Sequence, residues 1–131
     1  MTNKEMLLTY RAAVIELQEL AVQLDNVTAL GKPRGTAGVR LDAVRGTNDP
    51  VAAAMQAADG IEAMIGRKQK ELADLAAPLA TMMDGIRSTR MRLVVQMYYK
   101  QAETDATIAS RMCMSRARVN QIRNDFLAQI S

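Results

Sequence analysis

Along the first 30 residues, apolar side chains recur at alternating three- and four-residue steps. Leu7, Tyr10, Val14, Leu17, Ala21 and Leu24 form one seam, the heptad spacing of a helix that packs along its length. Met6, Ala13, Leu20 and Val27 run beside it, and Leu8, Ile15 and Val22 run on the other side. Polar residues take the remaining columns, and neither proline nor glycine interrupts Asn3 to Leu30. The pattern predicts one long helix. Four apolar columns of seven are more than a two-stranded coiled coil uses, so the helix is expected to be covered on more than one side.

A second long helix is predicted from Asn48-Asp49-Pro50. Asp49 is placed to cap it, and Pro50 suits the first helical position because its missing N–H has no partner there anyway. Its stripe includes Met55, Ala58, Ile61, Ile65, Leu72, Leu75, Leu79, Met82 and Ile86. Pro78 is expected to bend or divide it. A shorter helix is predicted from a Ser88 cap to Tyr99, with Met91, Val94, Val95 and Tyr98 inward. Between the long helices, the stretch 31–49 carries Lys32, Arg34, Arg40 and Arg45 and reads as a solvated connector. Its Gly31-Lys32-Pro33 is no phosphate loop, because the residue order is wrong and no strand precedes it. Two helices, each about 42 Å long if 28 residues, cannot by themselves cover four apolar columns. The missing cover is expected from a second copy of the chain, a homodimer, or from the helix before Tyr99 folding back.

The pattern changes again from Thr104 to Arg123. Ile108, Ala109, Met112, Met114, Val119 and Ile122 are spaced for two short helices joined by a turn. Ala109 leaves room for a crossing helix, Met114 fills the turn and Ser115 caps the second helix. Val119 and Ile122 then face inward. Arg116, Ala117, Asn120, Gln121 and Asn124 face outward, flanked by Arg118 and Arg123. Such a face suits base edges and phosphates in a major groove. The residues expected to contact DNA are Ser115, Arg116, Ala117, Arg118, Asn120, Gln121, Arg123, Asn124 and Arg111. The fold class is therefore all-α: a long N-terminal helical hairpin, coiled-coil-like, over residues 1–86, then a helix-turn-helix domain over 87–131.

Charge sharpens this division. From Arg87 onward eight bases face three acids, an excess of five, so with +3 overall residues 1–86 carry −2. A basic module beside a mildly acidic body is the electrostatic footprint of a nucleic-acid binder. One cysteine and no histidine leave no disulfide framework and no zinc-ligand set, so neither metal nor cofactor is expected. No membrane span and no secretory leader are read, and a cytoplasmic protein is expected. Asp59 with Glu62 and Glu71 with Asp74 are acidic pairs on solvated helix faces, and no catalytic constellation accompanies them. The chain does not read as an enzyme.

Ser115-Arg-Ala-Arg-Val-Asn-Gln-Ile-Arg-Asn-Asp-Phe-Leu127 resembles the recognition helix of region 4 in bacterial sigma factors. Arg92-Leu-Val-Val-Gln-Met-Tyr-Tyr99 is similar to the support helix of that family, and Thr104 to Met112 to its second helix. With the heptad-rich N-terminal half, the whole chain resembles the small phage-encoded sigma-like regulators of the ArpU/RinA type. The resemblance implies that Arg116 and Gln121 contact bases and phosphates, that Arg118 is a basic position of the motif, and that host RNA polymerase is a partner. Ala117 stands where these factors commonly carry Glu, which would change the base preferred. Cys113 occupies a turn position where glycine is common. The chain has three tyrosines, one phenylalanine and no tryptophan, too few aromatics to capture flipped promoter bases. The function expected is a sequence-specific double-stranded DNA-binding transcription regulator, encoded by a phage or prophage. A small terminase-like packaging protein and a purely structural coiled-coil protein are the alternatives.

Overall fold

A computed structural model describes residues 1–31 and 50–131. All of its elements are helical: α1 (Asn3–Gly31), α2 (Pro50–Asp84), α3 (Thr89–Val95), a π-helical turn (Gln96–Lys100), α4 (Asp105–Met112) and α5 (Arg116–Ile130). There is no strand among the described residues. The fold is all-α. No described helix is long and apolar enough to cross a membrane. The Asp49 cap and nearly all of the 31–49 connector lie outside the described residues.

Two compact units partition the chain: Met1–Glu16 with Lys68–Ser131, and Leu17–Arg67. In the first unit Leu7, Leu79, Met83, Ile86, Val95, Tyr99 and Phe126 share one core. The start of α1 and the end of α2 therefore pack with α3 and α5, and residues 86 and 87 are not a packing boundary. Ile86 is itself buried beside Tyr99 and Phe126. Polar links reinforce this unit. Asn3 Nδ2 donates to the Ile130 carbonyl at 2.8 Å, and Gln129 Nε2 donates to the Gly85 carbonyl at 3.2 Å.

In the second unit Leu20 is buried, whereas Val22 is 60% and Met55 63% exposed, and Met64 is also exposed. Of the four apolar columns in α1, the one holding Leu8 and Val22 faces solvent at both those positions. The inward seam drifts: Leu7, Ala13 and Leu20 are buried, while Tyr10, Val14 and Leu17 are half-buried.

Pro78 does not divide α2, which runs unbroken from Pro50 to Asp84. Interior proline costs roughly 3 kcal/mol through a lost backbone bond and a crowded turn. Leu75 before it and Leu79, Met82 and Met83 after it all pack into the same core. Breaking the helix would expose that apolar surface, at a cost comparable with the proline penalty.

The predicted helix from Ser88 to Tyr99 forms, with an irregular end. Ser88 Oγ accepts from the Met91 N–H at 3.3 Å. Beyond Val95 the ladder widens by one residue, so that the Gln101 N–H donates to the Gln96 carbonyl at 3.0 Å. Ala102 then takes a left-handed φ of 56°, and the chain turns into α4.

Candidate nucleic-acid interface

α4 and α5 are set by local hydrogen bonding that the sequence announces. Thr104 Oγ1 accepts from the Thr107 N–H at 3.2 Å and starts α4. At the other end Cys113 adopts φ 55° and ψ 48°. The Met114 N–H donates to the Ala109 carbonyl at 3.0 Å, and the Cys113 N–H donates to the Ser110 carbonyl at 3.4 Å. This is a Schellman termination, and Met114 and Ala109 supply its apolar contact. Ser115 Oγ then accepts from the Arg118 N–H at 3.1 Å and starts α5. Left-handed backbone suits glycine better than any residue carrying a Cβ. Cys113→Gly is therefore expected to stabilise the chain by about 0.5–1 kcal/mol, read as a higher denaturant midpoint at an unchanged slope.

Beneath the turn, Val94, Ile108, Ala109, Val119 and Ile122 form a second core, edged by Met91, Met97, Tyr98, Met112 and Met114. Burial of Val119 and Ile122 fixes the rotation of α5. At about 100° per residue, Arg116, Ala117, Asn120, Gln121 and Asn124 fall within an arc of about 140° on the opposite side. All five are exposed, as are Ser115 and Arg118. The structure brings these seven expected residues together on one surface. Ala117 leaves a small apolar spot among longer polar neighbours.

Two expected residues are differently placed. Arg111 is exposed but ion-paired with Glu103, whose other carboxylate oxygen is buried without a partner. Arg123 is turned inward, its side chain only 12% exposed. Its Nε donates to Asp105 Oδ1 at 3.1 Å and its Nη2 to Asp105 Oδ2 at 2.8 Å, a two-point ion pair from α5 to the first turn of α4. The guanidinium carbon lies 3.8 Å from the Tyr98 ring centre. Against the expectation that Arg123 neutralises phosphate, its donors and its planar face are engaged inside the fold.

Arg11 completes that arrangement from α1. Its guanidinium carbon is 4.2 Å from the Tyr98 ring centre. Its Nε donates to the Tyr98 carbonyl at 3.1 Å, and its Nη2 donates to the Glu103 carbonyl at 3.4 Å. Tyr98 thus carries two guanidinium groups on its ring, while its edge-on neighbour Tyr99 is buried. Burial pushes the Tyr99 phenol above its usual range, and the Arg123 charge opposes that shift. Sequence reading missed Arg11, Tyr98 and Asp105 as partners. Arg11 shares a polar column with Gln18 and Asp25, so its spacing reads as a solvated position.

No protein-family model, curated protein or solved structure matches this chain. The functional reading rests on its own residues.

Proposed function

We propose that the chain is a sequence-specific double-stranded DNA-binding transcription regulator, with α4 and α5 acting as a sigma region 4-like helix-turn-helix. The observation that carries this reading is the outward face of α5. Arg116, Ala117, Asn120, Gln121 and Asn124 stand on it, with Ser115 and Arg118 exposed at its margins, and the opposite face is held by Val119, Ile122 and Phe126. A capped, core-anchored helix with a polar face is what enters a major groove. The excess of five positive charges over residues 87–131 favours approach to the phosphate backbone. In this reading 87–131 binds DNA, while 1–86 serves oligomerisation or partner binding.

The working form we propose is a homodimer, in which a second copy covers apolar positions such as Val22 and Met55 and two recognition helices meet paired half-sites. The resemblance adds a phage or prophage origin and host RNA polymerase as partner, in the cytoplasmic setting expected from the sequence. Tyr10, Tyr98, Tyr99 and Phe126, all the aromatics in the sequence, pack in or against the first core. None is left over to stack on an extruded base, so the regulator would bind duplex and leave promoter opening to the resident sigma factor. It acts by binding and not by catalysis.

Selection of sites from a randomised duplex pool, followed by titration across salt, tests this directly. Arg116→Ala is expected to weaken all duplexes and to lower the slope of log K against log salt by about 0.9. Gln121→Ala is expected to cost about tenfold on the selected site and little on random DNA. At saturation, two chains per selected site are expected. Equal losses on selected and random duplexes for both variants would dismiss the assignment.

A further inference from the structure

The side-chain amides of Asn120 and Gln121 are not free to turn either way. Arg123 Nη2 lies 3.2 Å from Asn120 Oδ1. A guanidinium has donors only, so the oxygen of the Asn120 amide must be the atom that faces it. Arg123 is itself a fixed donor, clamped by Asp105 and by the Tyr98 ring. On the next residue, Arg118 Nη1 donates to Gln121 Oε1 at 3.0 Å. Both amides therefore have their oxygens engaged within the protein, while no partner holds Asn120 Nδ2 or Gln121 Nε2. Arg116 adds further donors nearby, while acceptors on this side of α5 come from the exposed Asn124 amide and Asp125 carboxylate.

Resting on the duplex-reading role proposed above, we infer that Asn120 reads a base through Nδ2 as a single-ended donor. Asparagine more commonly grips adenine with both ends, the oxygen accepting from N6 and the nitrogen donating to N7. Here the oxygen is turned to Arg123. What remains matches base edges that only accept, the O6 and N7 of guanine or the O4 of thymine. Arg123 is then a positioning residue: it touches no base, and it decides which end of Asn120 does.

Base analogues in the selected site separate the two modes for the full-length chain. One substitution removes an acceptor, for instance 7-deazaguanine for guanine. The other removes an exocyclic amino group, for instance purine for adenine. Each position is measured with the wild type and with Asn120→Ala. At one position, loss of the acceptor is expected to weaken the wild type by about five- to tenfold and to leave Asn120→Ala unaffected. Deleting amino groups is expected to affect both proteins equally everywhere. Asn120→Asp keeps an oxygen towards Arg123 and removes the donors, and is expected to lose the same acceptor sensitivity while remaining folded. An amino-group deletion whose effect vanishes in Asn120→Ala would overturn the single-ended reading by Asn120 and leave the regulator reading standing. Failure of the wild type to enrich any duplex would overturn both.

Discussion

Phe126→Ala is expected to cost about 4 kcal/mol, in the range for emptying a fully enclosed aromatic site. Phe126 has no exposed surface, and its core neighbours come from α1, α2, the link after α2, α3 and the π-helical turn: Leu7, Leu79, Met83, Ile86, Val95 and Tyr99. A cavity at that point is felt by every helix of the first compact unit except α4. At roughly 4 °C per kcal/mol for a chain of this size, the melting midpoint should fall by roughly 15 °C. The loss should appear together in far-ultraviolet circular dichroism and in protection of α1 amides near Leu7, because α1 and α5 share that core. If Leu7 protection persists while α5 loses its own, residues 87–131 unfold separately and the shared core is wrong.

The same packing shows what could be read from the sequence and what could not. Two helix starts were legible because Ser88 and Ser115 are short-range signals: a hydroxyl reaches a backbone N–H three residues on; Thr104 caps α4 in the same way without having been singled out. The left-handed turn at Cys113 was expected only through the resemblance, in which that position commonly carries glycine. The rotation of α5 followed from period alone, since Val119 and Ile122 leave only one way to face a core. The irregular end of α3 left no such mark. Nothing in Gln96-Met-Tyr-Tyr-Lys100 distinguishes a π-helical turn from an ordinary one.

Long-range polar partners were the larger omission. Arg11 meets the Tyr98 and Glu103 carbonyls across 87 and 92 residues of chain, a distance over which periodicity carries no information. Arg123 and Asp105 are 18 apart and face each other only once the Cys113 turn has formed. A basic residue on the edge of a recognition helix reads as a phosphate contact unless its partner is seen. Of the two sources of apolar cover expected, a second copy or the same chain folding back, the start of α1 is covered by α2, α3 and α5 of the same chain. In Leu17–Arg67, by contrast, Val22 and Met55 stay exposed.

Removing the Arg123 guanidinium separates an internal clamp from a phosphate contact. Arg123→Ala deletes a two-point ion pair, a donor to Asn120 and a cation held against the Tyr98 ring. Asp105, whose side chain is 31% exposed, would keep its charge without a partner. Partial exposure places the cost below the 3–5 kcal/mol typical of a wholly buried pair, and the lost ring contact adds to it. A destabilisation of about 3 kcal/mol is expected, or a midpoint lower by roughly 10 °C. Below that midpoint the folded variant should keep the wild-type salt slope for random duplex, because no phosphate contact has gone. A phosphate contact makes the opposite pattern, an unmoved midpoint with a slope shallower by about 0.9. Asp105→Ala should lower the midpoint too, and the double variant should lose less than the two single losses combined, since each residue spends its charge on the other. Additive losses would mean that the pair is not coupled, and Arg123 would return to the DNA-facing set.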